Sequence, residues 1–247
     1  MIKIDAICKS YNDKAVLRDI NLEIADGETV AIIGGSGSGK STLLRLMIGL
    51  IKPTSGHIWL GDQDIAVMNE KELDKIRLHM GMVFQYSALF DSMSVGDNVA
   101  FGLREHTDYS EEKIREIVQE KLDVVGLPGT EKMMPDELSG GMKKRVSLAR
   151  AIAFNPEIIF YDEPSSGLDP IMTDKIDDLI ISTQKRLGVT SVVVTHDMAS
   201  AVKIADRIAM VHEGELIAVD TTDNFRRINE PRVRAFLRDL YIEGAQP

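Results

Sequence analysis

The run Gly34-Gly35-Ser36-Gly37-Ser38-Gly39-Lys40-Ser41 constrains this chain more than any other feature in it. It has the spacing of a phosphate-binding P-loop, and it stands in the context that motif requires. Before it comes Thr29-Val30-Ala31-Ile32-Ile33, a solid apolar run that reads as a strand buried on both faces. After it, Lys40 to Leu50 carries apolar residues at helical spacing. Glycines let such a loop turn its amide N–H groups inward around phosphate oxygens, and the helix that follows adds the positive potential of its N-terminus. The nucleotide-binding residues expected here are Gly34, Gly35, Ser36, Gly37, Ser38, Gly39, Lys40, Ser41 and Thr42. Lys40 is expected to reach the β and γ phosphates of ATP, and Ser41 to ligate Mg²⁺ as well.

Other apolar runs set the fold class. Ile2 to Ile7 and Val16 to Ile24, separated by the polar turn Ser10 to Lys14, predict an antiparallel start. Met80 to Phe84, Ile158 to Tyr161, Ser191 to Thr195 and Ile208 to Val211 are short apolar runs, with helix-like segments such as Thr173 to Leu187 between some of them. Strands alternating with helices predict a mostly parallel sheet with flanking helices. Between Gln85 and Leu138 the strand pattern disappears, and Glu111 to Val125 places Ile114, Ile117, Val118, Leu122 and Val125 on one helical face. The expected class is therefore α/β: a P-loop NTPase core with an N-terminal antiparallel β subdomain and an inserted α-helical subdomain. No repeat and no Pro-rich linker divides the chain, so a single domain is expected. Its parts would be a nucleotide-binding core over 1–84 and 157–220, a helical insertion over 85–156 and a helical tail over 221–247.

Ile158-Ile159-Phe160-Tyr161-Asp162-Glu163 is an apolar strand that ends in two adjacent acids. Acids capping a strand are commonly only a solvated loop, but after a P-loop they read as the Walker B pair. Asp162 would then hold the Mg²⁺ shell, and Glu163 would polarise the attacking water as general base.

Composition excludes several roles. A formal net charge of -10 argues against a sequence-independent nucleic-acid binder, which needs basic surface. The lone Cys8 cannot form an internal disulfide and fits a reducing compartment. Lys3 and Asp5 interrupt any signal-peptide core, so secretion is not expected. No stretch approaches the roughly 20 apolar residues that a membrane-spanning helix needs, so any membrane role must come through a partner.

Leu138-Ser139-Gly140-Gly141-Met142, ahead of the basic and apolar-periodic segment Lys143 to Ala153, resembles the signature of ABC-type ATPases. Taken alone the pentapeptide could be a plain helix cap on Ser139. The resemblance runs from Tyr11 through His196 and implies further roles. Tyr11 would stack on adenine, and Gln85 would be the glutamine of the loop that contacts Mg²⁺ or water. Ser166-Gly167-Leu168-Asp169 would be the loop that crosses a dimer interface, with Asp169 at the nucleotide, and His196 would contact the γ-phosphate. Ser139, Gly140 and Gly141 of one copy would close over ATP held by another, so that a homodimer encloses two ATP. In this reading Glu163, His196, Gln85 and Lys40 are the catalytic set, and Ser41, Gln85 and Asp162 hold the metal. Two positions depart from the commonest pattern: Met142 stands where glutamine is usual, and Ser165 where threonine is usual. Neither removes a catalytic group.

Gln85-Tyr86-Ser87-Ala88-Leu89-Phe90, the stretch Asp97 to Ala100, Leu103 to Thr107, and Pro231 to Leu237 are similar to the ATPases of MCE-type lipid transporters, the bacterial Mla phospholipid system among them. That resemblance implies integral-membrane permease subunits, an MCE-domain lipid-binding partner and a place on the cytoplasmic face of the inner membrane, while the acidic charge leaves no nucleic acid among the expected partners. Two alternatives stay open at this point: the ATPase of another permease class, and a non-transport ABC ATPase such as an iron-sulfur assembly component. The tail after Glu215 reads as a packing element, or as a dimer or partner contact.

Overall fold

The computed structural model describes residues 1–12 and 14–243. Asp13, inside the expected Ser10 to Lys14 turn, and 244–247, the end of the expected tail, lie outside the described residues. The chain divides into two compact units, one made of Met1–Asp74 together with the chain from Val192 on, the other of Lys75–Ser191.

In the first unit, β1 (Ile2–Tyr11) and β2 (Lys14–Ile24) pair antiparallel, with Ile2 opposite Ile24 and Ile4 opposite Leu22. Both strands run further toward their turn than their apolar residues predict, because backbone pairing of Ser10 with Ala15 and Tyr11 with Lys14 continues past the buried part. β3 (Thr29–Ile33) is buried at all five positions and leads through the glycine-rich loop into α1 (Lys40–Met47). β4 (Ser55–Leu60) and the short β5 (Gln63–Asp64) complete a sheet of order β2-β1-β4-β5. Ile2, Ile4, Ile7, Ile20 and Ile24 are all fully buried in this unit.

The charged helix α2 (Glu70–Arg77), with only Leu73 buried, leads into the second unit. There β6 (Met80–Val83), α3 (Val95–His106), α4 (Glu111–Val124) and α5 (Gly140–Ala151) are followed by β7 (Ile158–Asp162) and α6 (Pro170–Leu187). β6 and β7 run parallel, with Val83 opposite Tyr161. α4 buries Ile114, Val118 and Leu122, the face its apolar period predicts, and Ser110 caps it by accepting from the Lys113 N–H. The stretch 85–156 carries α3, α4 and α5, in one compact unit with β6, β7 and α6.

Asn98 organises the loop ahead of α3. It is fully buried, its Oδ1 accepts from Phe90 N at 2.7 Å, and its Nδ2 lies 3.0–3.1 Å from the carbonyls of Phe90, Met93 and Ser94. Asn98→Ala leaves these buried groups unpaired and is expected to cost about 2–4 kcal/mol of stability. Urea unfolding checks this, and a shift under about 0.5 kcal/mol would contradict it.

β8 (Thr190–Val194) crosses from the second unit to the first: its Thr190 N–H donates to Glu157 O at 2.9 Å, and just past its end the Thr195 N–H donates to Ile32 O at 3.2 Å. α7 (Met198–Ile204), β9 (Arg207–His212), β10 (Glu215–Thr221), α8 (Thr222–Phe225) and α9 (Pro231–Glu243) finish the first unit. β9 runs parallel to β3, and β10 returns antiparallel on β9. Phe225 of α8 and Val233 and Leu237 of α9 bury against Ala31, Ile33, Ile208 and Met210. The described part of the tail is thus a packing element of the core. Among the described residues, no helix is long and apolar enough to cross a membrane.

Candidate functional site

The glycine-rich loop is closed by its own lysine. Lys40 is buried, and its Nζ donates to Gly34 O at 2.7 Å and to Gly35 O at 3.0 Å, so the ammonium sits over a ring of backbone. Gly35, Ser36 and Gly37 are exposed at the rim, whereas Ser38 is buried and its hydroxyl has no hydrogen-bond partner among the described residues. Two glycines are obligatory. Gly39 begins α1 at φ 111°, where a Cβ would also stand 2.6 Å from Leu17 Cδ2. At Gly34, φ 149°, a Cβ would come within 2.1 Å of Val211 O. Gly214, in the β9–β10 turn, steadies the loop by donating its N–H to Ser38 O at 3.0 Å. Rigid amides, a buried ammonium and a helix N-terminus make an anion cradle. Ser41 and Thr42, half-buried, open α1.

His196 follows β8 and is exposed. Thr195 before it is tied to Ile32 O of β3, and Asp197 after it caps α7 by accepting from Ala199 N at 2.9 Å and Ser200 N at 3.2 Å. The imidazole is thereby set on a short turn beside the strand that feeds the loop. Tyr11 ends β1, 46% exposed, with Lys9 Nζ 4.8 Å from its ring centroid. An exposed flat ring is free to stack.

The remaining expected residues gather in the second unit. Asp162 ends β7, and Glu163 follows with φ 48°, a left-handed conformation that costs a non-glycine residue on the order of 1 kcal/mol and clusters at functional sites. Gln85 follows β6, and its Nε2 donates to Ser166 Oγ at 3.3 Å, linking two segments that the sequence keeps far apart. Ser139 caps α5 by accepting from Met142 N at 3.3 Å. Its hydroxyl therefore has a cap role, while Ser139 and Gly140 remain exposed at the helix N-terminus. Asp169 caps α6, accepting from Met172 N at 3.0 Å.

Three residues escape a motif reading. Lys144 is buried on α5; it donates to the Gln85 carbonyl, and its Nζ lies 3.5 Å from the Glu163 carbonyl oxygen. Burial pushes this ammonium below the ordinary lysine pKa, with Glu163 opposing the shift. Arg150, two turns on, donates to Ala88 O at 2.6 Å and Ser87 O at 2.9 Å, and both of those residues also have positive φ. Asn98 is the third. One signal was available for Lys144: at helical spacing it shares a face with Gly141 and Leu148, where a cation is out of place unless it has carbonyl partners.

Comparison with known proteins identifies the family. A family model described as ABC transporter matches residues 17–166. The chain is 42% identical over 241 residues to a probable ribonucleotide transport ATP-binding protein, mkl, of Mycobacterium leprae, covering 98% of this chain and 70% of that one. It is 42% identical over 238 residues to the intermembrane phospholipid transport system ATP-binding protein MlaF of Haemophilus influenzae, covering 96% and 90%. A solved dimeric ATP-binding cassette in a post-hydrolysis state with ADP and Pi superposes with a TM-score of 0.82 at 35% identity, covering 90% of this chain and 99% of that one.

Proposed function

We propose that this chain, which belongs to the ABC transporter family, is the ATP-hydrolysing subunit of a transporter that moves phospholipid between membranes. The observation that carries the ATPase reading is the closed cradle in which Lys40 is held over the P-loop backbone. In this reading the loop amides and Lys40 neutralise the β and γ phosphates, and Ser41 opens the helix beneath them. Tyr11 stacks on adenine. A water attacks the γ-phosphorus, its proton passes to the Glu163 carboxylate, and the bond to the ADP oxygen breaks. His196 and Gln85 contact the γ-phosphate and the attacking water. Ser139, Gly140 and Gly141 of a second copy close over that γ-phosphate with the N-terminus of α5, and Asp169 lies at the same junction. A two-fold homodimer would therefore enclose two ATP.

The donors assigned to Mg²⁺ are the Ser41 hydroxyl, the Asp162 carboxylate and the Gln85 amide oxygen. These are hard oxygen ligands, too few for an all-protein cage, which suits a cation that keeps waters and phosphate oxygens. Bound there, Mg²⁺ would supply charge neutralisation at the β and γ phosphates. Gln85 spends its amide nitrogen on Ser166, which leaves its oxygen for this role.

The lipid cargo rests on MlaF, and it implies integral-membrane permeases, an MCE-domain partner and a peripheral place on the cytoplasmic face of the inner membrane. An equally similar relative carries a ribonucleotide-transport name, so another cargo is the second reading. Purifying the tagged chain from gently solubilised membranes of its own host separates them. Two permease copies with an MCE-domain protein support lipid trafficking; a different permease without one overturns the cargo. Soluble partners alone overturn transport and bring forward the iron-sulfur type of ABC ATPase.

A further inference from the structure

We infer that Lys144 is a positioning residue for ATP hydrolysis, its ammonium tying the Gln85 carbonyl to the peptide of Glu163 and so holding the left-handed turn from which the Glu163 carboxylate is aimed. The inference rests on the reading of Glu163 as general base. A residue at φ 48° keeps that conformation only where its surroundings over-determine it. Here part of that constraint comes from a buried cation beside the residue's own carbonyl oxygen, at 3.5 Å, while the same ammonium donates to Gln85. Gln85 is in turn held through Ser166, three residues beyond Glu163. Lys144 thus stands between the two segments that would flank the attacking water.

The helix that carries Lys144 begins at the signature. Lys144 lies five residues after Ser139, and the Arg150 guanidinium farther along α5 grips Ser87 and Ala88, just past Gln85. One rigid helix therefore holds both ends of a single segment, 85–88, and the turn at Glu163. A shift of α5 by a fraction of an ångström, as the signature engages a nucleotide, would be passed to the general base through Lys144.

The substitution Lys144→Met isolates the ammonium. The lysine stem lines a small cavity of about 10 Å³ with Val83, Leu148, Pro164, Ile176 and Ile180, so a methionine side chain of similar shape packs against the same apolar wall. The variant is expected to lower kcat roughly 10- to 100-fold while KM for ATP moves less than about 3-fold, since only positioning at the reacting centre is lost. The deciding readout is the same substitution in a Glu163→Gln background. If Lys144 acts through Glu163, it costs less than about 3-fold there, because the group it positions is already gone. An equal fold loss in both backgrounds, or a loss confined to KM, overturns the inference. If Glu163→Gln alone leaves turnover unchanged, the general-base reading fails instead. Should Lys144→Met bind no nucleotide, Lys144→Gln, which keeps a donor without the charge, is judged by the same two comparisons.

Discussion

Glu163→Gln is expected to slow steady-state ATP turnover roughly 10² to 10⁴ fold with nucleotide affinity kept within about 3-fold, because in the proposed mechanism general-base help is lost while the phosphate cradle is untouched. Glutamine has nearly the shape of glutamate and offers the Lys144 ammonium the same backbone carbonyl, so the left-handed turn persists. Only the capacity to take a proton is removed. Phosphate release measures turnover, and equilibrium binding of a fluorescent ATP analogue measures affinity. Unchanged turnover would remove Glu163 from the mechanism.

Lys40→Ala has a different signature, because it acts on binding first. The ammonium spans the loop from Gly34 O to Gly35 O and is buried by it, so its loss would remove a brace of the loop and, in the proposed mechanism, a phosphate contact as well. A charge-assisted hydrogen bond contributes about 1.5–3 kcal/mol, and losing two such contacts to the β and γ phosphates weakens ATP binding by a factor of roughly 10² or more. Titration calorimetry with ATP checks this directly. An affinity within about 3-fold of the original would mean that the loop binds phosphate through its amides alone. The two variants together divide the site, one losing chemistry with binding intact and the other losing binding itself.

Much of the fold was legible in the chain. β3 matches its apolar run residue for residue, and β6, β7, β8 and β9 each fall within about two residues of theirs, because a buried parallel strand must be apolar on both faces. α3 was not legible. Its sequence VGDNVAFGLREH holds two glycines and a buried asparagine, poor helix formers by local preference. The packing explains them: a Cβ at Gly102 would stand 2.9 Å from the Phe154 ring, and Asn98 earns its burial through four contacts with the loop before the helix. β4 and β5 escaped for a related reason. SGHIWL has no clean alternation, and its strand state comes from the partner β1, which sets Ile2 opposite Leu60 and Ile4 opposite Ile58.

The candidate site divides along the same line. The sequence by itself determined the P-loop and the acidic pair at the end of β7, because each is a contiguous motif whose chemistry is written in neighbouring residues, whereas Tyr11, Gln85, Ser139, Asp169 and His196 were expected only from the family resemblance. Only the tertiary structure decided that Lys144 holds the Gln85 carbonyl from 59 positions away, that Arg150 reaches Ser87 across 63, and that Gln85 reaches Ser166 across 81. A side chain's bond to a backbone carbonyl leaves no mark on the residue that supplies the carbonyl, since every residue has one. Such contacts come into being only when packing brings distant segments together, and here they gather around Glu163, whose left-handed φ of 48° is one that a non-glycine residue disfavours.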